Sequence, residues 1–209
     1  MLIGDTGLAI GAAEPGQGET GVRLSDKAYE RIRHEILSLQ LAPRSAIDEQ
    51  ALIQELGLGR TPIREALQRL AIENLVLLAP RRGMFVAGVS ITDLTKIVEA
   101  RMCLEGLCAR LAAERANPAQ LDLVEEIVQR LDVVSEGDGE ALIAIDKAFH
   151  ELLYEMAHNE FLAQALRRLY ALSVRMWRLL LHRLGDWRGD TEKHCYITLA
   201  LKVRDTKCA

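Results

Sequence analysis

The chain has 209 residues, of which 49% are hydrophobic and 4% aromatic, with a formal net charge of −4. This length leaves room for one small and one medium domain, each with a hydrophobic core. The acidic balance excludes a histone-like protein with a basic surface, and the few aromatic residues argue against a platform that stacks single-stranded bases. Any binding of DNA must therefore depend on a local cluster of positive charge.

The first segment, residues 1–22, is rich in glycine, alanine and small polar residues. It lacks both a basic start and a sustained apolar run, so we expect a disordered tail and not a targeting signal. The four cysteines show no CxxC spacing, which favours reduced thiols in a cytoplasmic protein. No window approaches the roughly 18 apolar residues of a membrane span, so we expect no membrane partner.

The segment that follows predicts three helices in quick succession. The first spans about residues 26–39 and the second spans 48–56, where Gly57 can end it in a left-handed conformation. A third helix begins near Thr61, which can cap it, and Pro62 suits its first turn. Its apolar residues recur at helical spacing and form one stripe that faces a core: Ile63, Ala66, Leu67 and Leu70.

The polar face of the third helix is basic at its front, where Arg60 precedes it and Arg64 lies on it. Arginines on such a face are most often only a solvated surface. Here, however, two short helices joined by a glycine turn form a helix-turn-helix pattern. Two apolar runs, 75–78 and 84–86, flank the basic turn at 79–83 and predict a hairpin that could meet the DNA backbone as a wing. Guanidinium groups at the front of a helix suit guanine edges or phosphates in the major groove.

The segment of residues 24–87 resembles the winged helix-turn-helix domain of GntR-family transcriptional regulators, with the domain expected at 23–88. The resemblance is carried by AYERIRHEIL and, after it, by RTPIREAL, L..ENLV and RRG.FV. It implies that DNA is contacted by the residues that open the recognition helix, by the tip of the wing and by the start of the preceding helix. The matching residues are Arg60, Thr61, Arg64, Gly83, Arg82 beside it, and Gln50.

Beyond Ala87 the pattern predicts helices only. After a short linker, the first is capped by Ser90 or Thr92 and runs to about Ala116, where Asn117-Pro118 ends it and opens the next. Further helices are expected from Pro118 to about Ser135, from the turn at 136–139 to about His158, from Glu160 to about His182, and after a loop at 185–190. Residues 89–209 thus predict an all-helical bundle, whose sole role could be dimerisation.

One face of a predicted bundle helix carries Asp146 and His150, four residues apart, whose side chains can bind one cation together. Most such pairs are only hydrogen-bonded partners, so both interpretations stay open. Three segments, EARMCLEGLCARLAAE, DKAFHELLYEMAHNEFL and EKHCYITLALKVRD, resemble the FCD domain, the helical ligand-binding domain of the FadR subfamily. In many such domains an aspartate, a histidine four residues later and two further histidines hold a metal. The resemblance implies Asp146, His150 and His194 as three of these ligands.

The fourth ligand should be a histidine about two helical turns past Asp205, but the sequence ends at Ala209. We therefore expect a shortened last helix and a divalent cation (Zn, Ni or Mn) held by three protein ligands, with a position left for water or a ligand carboxylate. Arg101 is a second candidate for binding that carboxylate. Its alternative role is an ion pair with Glu105 along the same helix.

The expected fold is mainly α, with an N-terminal winged helix-turn-helix and a C-terminal helical bundle. The expected function is a DNA-binding regulator and not an enzyme, in which a homodimer places two recognition helices on a roughly palindromic operator. A small organic-acid metabolite in the bundle would shift the spacing of the winged domains. The resemblance favours a repressor that the metabolite releases from DNA.

Two alternatives remain: a metal-dependent hydrolase with Glu151 or Glu155 as general base, and a helical interaction protein that binds neither DNA nor ligand.

Overall fold

The computed structural model describes residues 23–135, 137–184 and 193–206. The predicted tail at 1–22 and the predicted loop at 185–190 lie outside these residues. Within the described part the fold is mainly α with a single two-stranded sheet, as the sequence predicts. No described helix is long and apolar enough to cross a membrane.

The N-terminal half is a three-helix unit followed by a hairpin. Its elements are α1 (Leu24–Leu37), α2 (Glu49–Leu56), α3 (Arg60–Ile72), β1 (Val76–Ala79) and β2 (Gly83–Val86). The strands pair antiparallel, with Val76 opposite Val86, and Ala46 adds an isolated bridge to Phe85. The apolar stripe of α3 is fully buried against α1, which fixes the opposite face of α3 toward solvent.

The turn between α2 and α3 is defined by two glycines. Gly57 ends α2 in a left-handed conformation with φ 63°, as predicted. The predicted cap at Thr61 is wrong, because α3 begins at Arg60 and Gly59 occupies the N-cap position. Gly59 already has the extended backbone that a cap requires (φ −70°, ψ 168°), so Thr61 falls inside the first helical turn.

The C-terminal half is all-helical in the described residues. Its elements are α4 (Ile91–Arg115), α5 (Pro118–Gln129), a 3-10 turn (Arg130–Val133), α6 (Gly139–Met156), α7 (Glu160–Leu184) and α8 (Lys193–Lys202). Ser90 caps α4, and Asn117 forms a capping box with Gln120 at the start of α5. The helix expected to reach Ser135 ends sooner, since its last turn tightens into the 3-10 form.

The two halves have separate hydrophobic cores that meet at α7. The bundle core surrounds Phe149, Leu153 and Leu166, all at most 1% exposed. Leu172 of α7 packs against the N-terminal core, and Leu37 at the end of α1 packs against both cores. One face of α7 therefore belongs to the bundle, while part of it supports the winged helix.

Candidate nucleic-acid interface and metal centre

The front of α3 presents its polar side chains to solvent. Arg60, Thr61 and Arg64 are exposed on the side away from the buried stripe. Gln50, in the first turn of α2, is exposed as well. Each residue that the sequence assigns to DNA contact in the helix-turn-helix is thus accessible to a large partner.

Arg64 is held by an ion pair that the sequence analysis missed. Its Nε lies 2.8 Å from Oε2 of Glu49 in α2, and its Nη2 lies 3.5 Å from Oε1. The Arg64 side chain is 55% exposed, so the pair adds little to stability. Its effect is geometric, because the carboxylate fixes the direction of the guanidinium group. The two residues are 15 positions apart, and no spacing rule within one helix could have linked them.

The wing is a tight hairpin with a basic tip. Arg81 (φ 64°) and Gly83 (φ 95°) have left-handed backbones that turn the chain between β1 and β2. The N–H of Arg82 donates to the carbonyl of Ala79 at 3.0 Å, and both Arg82 and Gly83 are exposed. A Cβ at Gly83 would meet nothing within 4 Å. Glycine is therefore required here by the positive φ of the backbone and not by a lack of space for a side chain.

Three candidate metal ligands come together inside the bundle and are called the metal cluster: Asp146, His150 and His194. One ligand atom from each lies within 4.8 Å of the other two. Oδ1 of Asp146 lies 3.6 Å from Nε2 of His150 and 3.3 Å from Nε2 of His194. Helical spacing on α6 aligns the first two, and α8 packs back to supply the third. Ligands about 2.1 Å from one cation lie roughly 3.4 Å apart in a tetrahedral site, so these spacings suit a shared ion.

A second layer of polar side chains surrounds the metal cluster. The Tyr170 hydroxyl donates to Oδ2 of Asp146 at 2.7 Å, and the Tyr154 hydroxyl donates to Oε1 of Glu105 at 3.1 Å. The same Oε1 lies 3.6 Å from Nδ1 of His150. These partners come from α4, α6 and α7, and sequence analysis missed both tyrosines because their proximity depends on tertiary packing. Such partners orient metal ligands and tune their basicity.

The ionisation of the metal cluster suits a cation. Burial alone would raise the pKa of Asp146, but the hydrogen bond from His194 and the attraction of both histidines outweigh it and hold that pKa below its ordinary value. Burial lowers the pKa of His150 despite the nearby carboxylates of Asp146 and Glu105. An ionised carboxylate and a neutral imidazole are the forms that bind a metal.

The donor set also fits the group that the family resemblance implies. The Nε2 atoms of His150 and His194 both face Oδ1 of Asp146, so the three side chains direct one ligand atom each toward the same point. One carboxylate and two imidazoles are a donor set for Zn, Ni or Mn, and three ligands leave at least one position open.

Arg101 lies beside this layer and forms the ion pair that was its alternative role. Its Nη2 and Nε donate to Oε1 of Glu105 at 2.6 and 2.9 Å. Its guanidinium carbon lies 5.3 Å from the centre of the Tyr170 ring. The Arg101 side chain is 13% exposed, so this ion pair lies largely buried beside the metal cluster.

Two family models match the chain. The model of bacterial regulatory proteins of the gntR family matches residues 24–86, and the FCD domain model matches residues 96–209. The chain belongs to the GntR family. It is accordingly a helix-turn-helix transcriptional regulator, and its FCD domain is of the kind that controls DNA binding through a ligand.

Relatives of this GntR regulator carry names that agree with this assignment. The Nta operon transcriptional regulator of Aminobacter aminovorans is 28% identical over 177 residues, which cover 83% of this chain and 81% of that protein. McbR of Escherichia coli is 29% identical over 199 residues, which cover 91% and 88%. A solved structure of E. coli McbR/YncC superposes with a TM-score of 0.79 at 26% identity and covers 90% of both chains.

In this GntR regulator, α7 links the metal cluster to the winged helix through three arginines, called here the arginine row: Arg168, Arg175 and Arg178. Each donates to a main-chain carbonyl of the N-terminal unit, at Ile72, Ala87 and Leu37 respectively. Arg178 also pairs with Glu140 of α6 at 2.7 Å, and its hydrogen bonds hold the pKa of Glu140 below its ordinary value. Tyr170, on the same helix, contacts Asp146. A shift of α7 would therefore change both its contact with the metal cluster and its contacts with the winged helix.

Proposed function

We propose that this GntR regulator is a cytoplasmic homodimer that represses transcription from a roughly palindromic operator. Its recognition helices enter successive major grooves, where Arg60, Thr61 and Arg64 meet bases and phosphates. Arg82 and Gly83 reach the neighbouring groove or backbone through the wing, and Gln50 adds a contact from α2. The exposure of all six residues supports this assignment.

We further propose that Asp146, His150 and His194 hold a divalent cation, with Zn, Ni or Mn as candidates. When bound, the cation supplies a Lewis-acidic anchor for a carboxylate group. Asp146 supplies negative charge, the two imidazoles complete the ligand set, and Tyr170 fixes the carboxylate of Asp146. The effector is then a small organic acid, and Arg101, which pairs with Glu105, is the second residue that we propose to contact its carboxylate.

The observation that carries this mechanism is the position of α7, which contacts Asp146 through Tyr170 and the winged helix through the arginine row. An effector that favours one position of α7 alters the spacing of the two recognition helices in the dimer. We take release of DNA as the direction of control.

A gel-shift assay on duplex DNA flanking the gene tests the DNA-binding part. Specific binding should weaken with salt along a linear log–log plot, because phosphate contacts release counterions. Absence of binding to any duplex at low ionic strength would overturn the proposal.

Elemental analysis and native mass spectrometry of the freshly purified protein test the metal. Asp146→Ala and His150→Ala should each lose most of the bound metal, while Lys147→Ala, an exposed neighbour on α6, should retain it. If the two ligand variants and the control have the same metal content, the metal cluster is not a metal site.

An enzymatic role is not proposed. The hydrolase alternative needs a free general base, yet Glu151 forms an ion pair with Arg167 at 2.6 Å and Glu155 is exposed. The transcriptional regulators among its relatives favour the same conclusion.

A further inference from the structure

A cavity of about 800 Å³ lies where the winged helix meets the bundle, and we call it the joint cavity. Much of its wall is apolar, from Leu77 at the wing, Leu94 and Ile97 on α4, and Leu172 and Met176 on α7. It shares no residue with the metal cluster. Its volume is that of a small-molecule site and far exceeds that of a packing defect.

One residue of this wall is a buried cation without a counter-charge. Arg175 is 1% exposed, its Nη2 donates to the carbonyl of Ala87, and its Nε has no hydrogen-bond partner. Among the described residues no carboxylate forms an ion pair with it. Burial lowers the pKa of Arg175 to about 10, which leaves the group charged at neutral pH. Buried charges are normally paired, so this one calls for an explanation.

The remaining polar residues of the wall add positive charge. Arg44 and Lys96 line the cavity, and Asp93, also in the wall, lies 3.9 Å from Nζ of Lys96. Arg44 (φ 68°) and Asn74 (φ 61°) have left-handed backbones that favour glycine, yet both contribute to the wall. The cavity therefore combines an apolar lining with an excess of cations, which is the pattern of a site for an amphipathic anion.

We propose that the joint cavity binds a small organic anion, a carboxylate with an apolar body, whose charged group pairs with Arg175. This site is separate from the metal-dependent effector site and does not depend on it. Because its walls come from the wing, α4 and α7, the anion contacts both halves of the chain and stabilises one orientation of the winged helix on the bundle.

The test uses the full chain with 4-fluorobenzoate as the probe and 4-fluorobenzamide as a neutral control of the same shape, both followed by fluorine NMR. We expect the benzoate to bind at least tenfold more tightly than the amide. Arg175→Met should reduce benzoate affinity to that of the amide. Ile97→Trp, which places an indole in the cavity wall and leaves Arg175 in place, should weaken benzoate binding at least threefold. Arg167→Met, which removes an arginine of the same helix that pairs with Glu151 and belongs neither to the arginine row nor to the cavity wall, should bind like the wild type.

Equal affinity of the wild type for benzoate and benzamide overturns the proposal, and so does unchanged binding in Ile97→Trp. If Arg175→Met fails to fold, the Ile97→Trp result decides alone. Loss of benzoate binding in Asp146→Ala would assign the probe to the metal cluster and also overturn the proposal. Failure of the metal or gel-shift experiments leaves this test unaffected, so the two proposals can fail independently.

Discussion

In the free protein, Glu49 sets the direction of the Arg64 side chain, for which we propose a contact to DNA. Arg64→Ala should weaken operator binding roughly tenfold to a hundredfold, since a bidentate contact to a base contributes about 1–3 kcal/mol. Binding to random duplex should fall much less, because phosphate contacts elsewhere persist. Competitive gel shifts with both duplexes measure the difference.

Arg69→Ala provides the control for this prediction. Arg69 lies on the same helix but pairs with Asp26 at 2.6 Å and stacks on Tyr29. The Arg69→Ala variant should therefore bind operator DNA in preference to random duplex as strongly as the wild type does. An equal loss of specific binding in both variants would mean that Arg64 acts only through general charge.

Tyr170 is the second residue whose role can be isolated. Tyr170→Phe removes the 2.7 Å hydrogen bond to Asp146 and leaves the aromatic ring in place. The loss of such a supporting bond should lower metal affinity about 10- to 100-fold. Competition against a chelator measures this affinity, with Tyr196→Phe as control because Tyr196 is 76% exposed. Unchanged affinity in Tyr170→Phe would show that Asp146 needs no such orientation.

Helix periodicity could predict only the part of the metal cluster whose residues lie on one helix. The four-residue spacing of Asp146 and His150 gives a shared face directly, and the family resemblance adds His194. The supporting side chains Tyr154 and Tyr170 reach the site from positions that helix periodicity does not relate. Periodicity says which residues share a face, whereas the packing angle between helices decides which faces meet.

At the scale of elements, the helix-turn-helix depends on one backbone conformation. Gly57 has φ 63°, whereas Gly59 has an ordinary φ of −70°, and a Cβ at either position meets no close contact. Gly57→Ala should therefore lower the free energy of unfolding by about 1 kcal/mol, because left-handed backbones disfavour side chains. Gly59→Ser should leave stability unchanged or slightly higher, since serine is a good N-cap. Urea denaturation compares the two, and equal losses would contradict the assignment of the turn.

Most elements follow from local signals in the sequence. The stripe of Ile63, Ala66, Leu67 and Leu70 is buried as periodicity predicts, and the basic hairpin forms the wing. The error at Thr61 arose because a threonine side chain can accept the capping hydrogen bond, whereas glycine has no side chain to do so. The backbone nevertheless adopts the extended cap geometry earlier, at Gly59. Local preference predicts that a helix begins in this region and leaves its first residue uncertain by one or two positions.

At the scale of the whole molecule, the arginine row should determine how firmly the winged helix rests on the bundle. Arg178→Met removes the 2.7 Å hydrogen bond to the carbonyl of Leu37. Hydrogen bonds from charged donors contribute about 1.5–3 kcal/mol, so amides in α1 and α3 should exchange faster while those of α4 stay protected. Hydrogen exchange read by mass spectrometry measures both regions.

The matched control is Glu140→Gln, which weakens the ion pair of Arg178 with residue 140 and leaves the hydrogen bond from Arg178 to the Leu37 carbonyl intact. It should leave exchange in α1 close to that of the wild type. Identical protection of α1 and α3 in Arg178→Met and the wild type would rule out a mechanical role for this contact. No sequence pattern predicts it, because the acceptor belongs to the main chain 141 positions away.

All three acceptors of the arginine row are main-chain carbonyl oxygens, and a carbonyl is present whatever amino acid occupies the position. The surface that reads DNA can therefore diverge during evolution without losing its attachment to the sensor below it. A recognition module with the same backbone path, transplanted from another regulator, should dock onto this bundle as long as the three donors on α7 are kept.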